Sequence, residues 1–350
     1  MKSITEIVDE KGQWIFVIAV SGLSISQEIG EELTINKITF VSKDKLKRIR
    51  KRLNFPWTIK ELKERFKDPT LLEESEVYAI GSFGGVGTEK EQEFLKFVKE
   101  ELAILSLSQL GYGRRRSNAA LHVSNGKRNG SLKYLAMNKT KLTSTRHFNR
   151  SGRFHTLELD KRWLSFHKKH FFFELLSLLK NSDSTIISDN WKLDIKNAAI
   201  LAGQSQSSTE LEHAFLWNVI AIETLLAKQG DSYSSALPLR VEAFIGWTTA
   251  WSLNNFSEKI VDIYKKRSAF VHAGRIDSIN LDDLLFTDKI LLNVLHNILK
   301  HINLFKTKDD LIMFSKKVEA EHTLGIVGKT RPKTTTYIDV CYIDQDFKSL

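Results

Sequence analysis

Cysteine occurs once in 350 residues, at Cys341; proline occurs four times and methionine three. A single thiol excludes an internal disulfide framework and a thiolate-built metal site, and it fits a chain kept in a reducing cytoplasm. So few prolines, with no long biased tract, exclude low-complexity disorder. No apolar run reaches the roughly 20 residues that a bilayer-spanning helix needs. The most apolar early stretch, residues 14–25, is too short, and Glu6, Asp9 and Glu10 precede it where a secretory leader carries positive charge. That stretch reads as a buried strand, and the chain as a cytoplasmic protein with no membrane partner. What remains is an ordinary globular composition, 42% hydrophobic and 27% charged, long enough for two cores.

Acidic residues are nearly missing from one region. Between Gly111 and His170 there are 15 Lys and Arg against Glu158 and Asp160 alone, a net of +13. The whole chain carries +10, so the other 290 residues sum to −3. The basic character is one block, which is the electrostatic footprint of a nucleic-acid binder. Arg114, Arg115, Arg116, Lys127 and Arg128 are its candidate RNA contacts. Tyr112, Tyr134, Phe148, Phe154 and Trp163 are interleaved with the charges. They serve either as stacking platforms for unpaired bases or as strand core with only the charges in water. A second basic segment, residues 43–65, is either a further phosphate contact or a solvated helix face broken at Pro56.

Periodicity predicts an α+β protein. Strands are expected over 13–20, 33–41, 76–80, 121–124, 131–137 and 154–159, with a periodic helix over 88–110. The run Gly81-Ser-Phe-Gly-Gly-Val-Gly87 lacks the Lys-Ser/Thr of a P-loop and the third glycine of a dinucleotide fingerprint, so it reads as a flexible strand-to-helix connection. His167 and His170 have no cysteine or carboxylate pair to complete a metal shell, and read as surface histidines. From Phe171 onward the pattern turns helical. A helix starting at Trp191 is expected to be capped by Asp189 or Asn190, and further helices are expected over 209–228, 237–253, 257–273, 281–304 and 309–322. Residues 334–343 alternate like a strand. The organisation expected is an N-terminal α+β domain over 1–180, containing the basic block 111–170, an all-α helical bundle over 190–306, and a C-terminal extension over 307–350.

One helix carries the chemistry. Residues 257–273 place Ile260, Ile263, Tyr264, Phe270 and Val271 on or beside an apolar stripe and end before Gly274, suited to the left-handed turn that closes helices. Arg267 and His272 lie in the last turns, where the helix dipole favours positive charge. An always-charged guanidinium can hold a phosphate while an imidazole moves a proton, which is the pairing that metal-free RNA cleavage needs. Five residues apart on a helix is an offset of roughly 140°, so the two do not share a face. Either the helix end unwinds or a second chain completes the site across a two-fold axis; the second is preferred. Glu223 sits on the apolar side of its own helix and needs a partner there, either as an ion pair with Arg240 or Arg267 or as support for the site.

Residues 190–306 resemble the HEPN superfamily, in particular its ApeA-like branch, through an ordered series. The series runs Ala221-Ile-Glu-Thr-Leu-Leu226, Leu239-Arg-Val-Glu-Ala243, Ile263-Tyr264, Arg267-Ser268, Val271-His272 and Gly274, in which Arg267 and His272 form an R-x4-H motif. The glycine usually found directly after the histidine stands one residue later here, after Ala273. The resemblance implies a dimerising helical bundle acting as a metal-independent endoribonuclease in a toxin–antitoxin or antiviral system, with no cofactor. It makes Arg267 and His272 the catalytic pair, with Ser268, Glu223 and Tyr264 in support. RNA, a second copy of the chain and an antitoxin or regulatory partner are the implied partners. Two other classes compete: a non-catalytic HEPN module that binds RNA or a nucleotide and regulates a partner, and a structural bundle whose basic block binds an acidic protein.

Overall fold

The computed structural model describes residues 11–49, 51–52, 55, 58, 60–61, 76–112, 122–123, 131–138, 141–148, 156–180, 187–208, 210–249, 256–276, 278–326, 330 and 337–339. The chain is α+β. It divides into two compact units, Met1–Leu102 with Ser117–Phe166, and Ala103–Arg116 with His167–Leu350.

The first unit is built on β1 (Lys11–Ser21), in which Trp14 to Val20 are all buried. An unbroken run of aromatic and β-branched residues suits a central strand covered on both faces, not one with a wet side. β1 pairs antiparallel with β5 (Val77–Val86), from Lys11↔Val86 to Val20↔Val77, and with β7 (Ser131–Met137), from Ile15↔Met137 to Ile18↔Tyr134. Its far end pairs with β6 (His122–Val123), and β8 (Leu142–Phe148) extends the sheet beyond β7. On the other side the order runs β3 (Glu32–Thr34), β4 (Thr39–Ser42), β5. A separate parallel pair joins β2 (Leu23–Ile25) to β9 (Leu157–Leu159). Short helix α1 (Lys43–Ile49) follows β4.

Two expectations for this unit are corrected. The apolar run 33–41 is a hairpin, because the buried carboxylate of Glu101, on α2 (Gly87–Leu107), accepts the backbone N–H groups of Asn36 (3.1 Å), Lys37 (2.7 Å) and Ile38 (3.1 Å) and pins a turn there. The glycine-rich run is strand, not connection: β5 continues through it in register with β1. A Cβ on Gly81 would lie 2.6 Å from the ring of Phe83 and 2.9 Å from that of Phe94. Gly81 thus clears space for packed aromatics, among them Phe16 and Phe94 at 5.2 Å between centroids.

The second unit is helical. Its elements are the ends of α2 and α3 (Lys161–Lys169), then α4 (Phe172–Lys180), α5 (Asp189–Ser207), α6 (Leu211–Leu226), α7 (Tyr233–Thr249), α8 (Phe256–Ala273), α9 (Leu281–Lys300) and α10 (Lys308–Thr323). The cap of α5 is Ser188, whose hydroxyl accepts from the Trp191 N–H at 3.3 Å; Asp189 and Asn190 already lie inside the helix. α9 is the central element. It is buried on nearly every side, from Leu284 to Leu299, the polar Thr287, Asp288, Asn293 and Asn297 included. A polar group crosses this core: Asp288 accepts from Asn218 Nδ2 (2.7 Å) and Gln206 Nε2 (3.1 Å), tying α9 to α6 and α5. α5 meets the end of α2 at Gly203, where a Cβ would fall 1.8 Å from the carbonyl oxygen of Ala103. No helix among the described residues is long and apolar enough to cross a membrane.

Candidate active site

The motif helix α8 is set by what its inner face touches. Ile263 and the partly buried Phe270 join Phe215 and Val219 of α6 and Leu284 of α9 in one apolar cluster. Two ion pairs then fix the helix on either side of that seam. Lys266 reaches Asp283 at the N-terminus of α9 (3.0 Å) and Asp262 one turn earlier (2.9 Å). Asp283 is itself held by the capping box it forms with Asn280. Burial opposes the charge on Lys266, yet the two carboxylates outweigh it and raise its pKa above the ordinary lysine value. The Asn280-x-x-Asp283 cap is legible in the sequence; its grip on Lys266 is not.

Arg267 takes Glu223. Its Nη2 donates to Glu223 Oε2 at 3.0 Å, with side-chain exposures of only 20% and 10%. Arg240, the other partner considered, instead chelates Asp231 and donates to the Leu226 carbonyl at the end of α6. The pair is incompletely satisfied: Arg267 Nε and Glu223 Oε1 are buried without a hydrogen-bond partner among the described residues. Burial raises the Glu223 pKa above the usual carboxylate value, and the neighbouring guanidinium pulls the other way without cancelling it. The polar residue after the arginine, Ser268, is half-buried. Tyr264 packs edge-on against Tyr233 of α7, 5.4 Å between centroids.

His272 lies in the last turn and is exposed. The helix closes as its sequence predicts. Gly274 has φ +62° and donates its N–H to the Phe270 carbonyl at 2.9 Å, and Arg275 donates to Ala269 at 3.3 Å. α8 stays α-helical through Ala273, so Arg267 and His272 remain on different faces of one chain. Residues 271–276 are all exposed, including Val271 at 48% and Ile276 at 40%.

The candidate RNA contacts Arg114, Arg115, Arg116, Lys127 and Arg128 lie outside the described residues. Of the basic block that is described, Lys161, Arg162, Lys168 and Lys169 are exposed. Trp163 is fully buried and is core, not a stacking platform. His167 is likewise no surface residue: it is 1% exposed, between Tyr112 and Phe172, and burial pushes its pKa down to about 3. Its helical face, set by Trp163 four residues earlier, was the available signal. Compared with protein-family models, curated proteins and solved structures, the chain matches none.

Proposed function

We propose that the chain is a metal-independent endoribonuclease of the HEPN type, acting in prokaryotic antiviral defence or as the toxin of a toxin–antitoxin pair. The observation that carries this reading is the arrangement on α8: a guanidinium steadied by a buried carboxylate, followed by an exposed imidazole at the helix end. In the proposed reaction His272 takes the proton of the ribose 2′-hydroxyl and returns one to the leaving 5′-oxygen, while Arg267 stabilises the charge that builds on the phosphoryl oxygens. The 2′-oxygen bonds to phosphorus as the P–O5′ bond breaks, giving 2′,3′-cyclic phosphate and 5′-hydroxyl ends. DNA lacks the nucleophile and is not cut.

The roughly 140° offset between the two side chains makes a homodimer the working form, each phosphate facing Arg267 and His272 from both copies. The exposed helix end over 271–276, with two open apolar side chains, is the surface offered to the second copy. The basic block supplies sequence-independent grip on the backbone of RNA. The engagement of Arg267 by Glu223 also favours a second reading, a non-catalytic HEPN module in which the pair binds phosphate without turnover and an antitoxin or other partner is regulated.

The test compares wild type, Arg267→Ala and His272→Ala on total RNA in excess EDTA. Cleavage by wild type alone, with cyclic-phosphate ends, is expected. Activity lost in EDTA and restored by metal refutes the mechanism. Tight RNA binding by all three with no cleavage selects the module. A fully active monomer refutes the composite site.

A further inference from the structure

Away from Arg267 and His272, the helical unit carries an open cleft of about 670 Å³ that no local motif announces. Its wall is rich in lysine and histidine. Lys169 and His170 come from the end of α3 and the residue after it, His296 and Lys300 from the last turns of α9, and His301 from the cap of that helix. The rings of His170 and His296 meet edge to face at 5.7 Å. The far wall is the C-terminal segment 337–339, which belongs to no helix or strand. Asn293 clasps it by accepting the Ile338 N–H (2.8 Å) and donating to the Ile338 carbonyl (2.9 Å). Lys289 holds it a second time, 3.3 Å from Asp339 and 5.1 Å from the centroid of the Tyr337 ring. The Tyr337 hydroxyl is buried and has no hydrogen-bond partner among the described residues.

The convergence of these groups is costly. Burial lowers the pKa of His170, His296 and His301, His296 to about 4, and the cations add to it: Lys300 and Lys169 at His170, and His170, Lys300 and His301 at His296. The acidic groups nearby are already engaged, Glu174 with Lys300 and Asp339 with Lys289. Among the described residues no three His, Cys, Asp or Glu side chains are grouped to hold a metal ion, and two lysines would repel one. A multiply charged anion offsets the repulsion that Lys300 exerts at His170 and His296 and that Lys169 exerts at His170. The volume lies within the roughly 300–1,000 Å³ of small-molecule sites.

We propose that this cleft binds a small phosphorylated ligand of nucleotide size, its phosphates held by Lys169, Lys300 and the three histidines beside the Tyr337 hydroxyl. The ligand closes on the segment 337–339, so its binding and the docking of that segment are coupled. Because the anion favours imidazolium over imidazole, the complex takes up protons near neutrality and tightens as the pH falls. The opposing charges are Glu174 and Asp339, and Lys289 faces the same segment.

Isothermal titration of the full chain with inorganic pyrophosphate and, separately, ATP tests this, at about pH 6 and about pH 8 in buffers of different ionisation enthalpy. Saturable binding is expected, tighter at the lower pH, with a buffer-dependent heat that reports proton uptake. Lys169→Ala, at an exposed position, weakens binding roughly tenfold, and Lys300→Ala at least as much. His301→Gln removes the pH dependence in part, and Lys168→Ala, outside the cleft, changes nothing. The proposal is overturned by any of three results: no binding of either probe at both pH values, affinity unchanged in Lys169→Ala, or displacement of pyrophosphate by an RNA oligonucleotide at matching concentration. The readout is binding, so it stands or falls apart from RNA cleavage.

Discussion

Cutting the Glu223–Arg267 pair from either side tests whether the candidate site is held as described. Both side chains are mostly buried, so removing one strands the other's charge where water reaches it poorly. Fully buried pairs lose about 3–5 kcal/mol when one partner goes, and hydrogen bonds to charged groups are worth about 1.5–3. With 20% and 10% of the side chains still exposed, about 2 kcal/mol for Glu223→Ala is the expected loss. In a cooperative unit of roughly 200 residues that lowers the melting temperature by about 4–8 °C. Arg267→Ala costs a similar amount, and the double variant costs less than the sum by about 1–2 kcal/mol, because the second truncation removes the stranded charge.

The pH dependence has a definite sign. Glu223 has a raised pKa in the folded state, so its protonated form is the one the fold favours. Such a group costs nothing below the ordinary value of 4.5 and costs progressively more as the pH rises through its folded value. Arg267 offsets that cost. The loss in Arg267→Ala therefore grows as the pH rises above 4.5 and nearly vanishes below it. Thermal or urea unfolding of the four proteins across that range is the assay. A coupling below about 0.5 kcal/mol, or an Arg267→Ala loss independent of pH, would falsify the description of the pair as a buried, mutually dependent unit.

Two further outcomes are expected. Gly203→Ala abolishes folding of the helical unit or shifts α5 bodily, since backbone stands 1.8 Å from the new Cβ and cannot rotate away; a well-folded variant with wild-type melting refutes the close approach. His167, depressed to about 3, contributes stability that is complete above pH 6.5 and is lost as the pH falls toward 3, at about 1.4 kcal/mol per pH unit. His167→Phe therefore flattens the acid limb of the stability profile, and an unchanged acid slope shows the ring to be hydrated.

Much of this protein is written along its sequence. The buried run 14–20 dictates a central strand, the helical periods from Phe171 onward dictate the second unit, and Gly274 marks the end of the motif helix, because each follows from the spacing of apolar residues or from one backbone conformation. The need of Glu223 for a partner was equally legible, since a carboxylate on an apolar helix face demands one. Which arginine answered was not. Arg240 and Arg267 are equivalent to any local reading, and only the packing of α8 across α6 turned one toward Glu223 and left the other to Asp231. The glycine-rich run misled for a related reason: Gly81 answers to its strand neighbour Phe83 and to Phe94, whose ring reaches that strand only when α2 folds over the sheet. The cleft rich in lysine and histidine is the extreme case. Lys169, His296 and Tyr337 are far apart in the chain, and no periodicity links them, because charge convergence is a property of where helix ends meet and not of spacing. The sequence alone determines most of the elements and the residues able to do chemistry; the tertiary structure decides the turn at 36–38, the strand through the glycines, and which residues share a site.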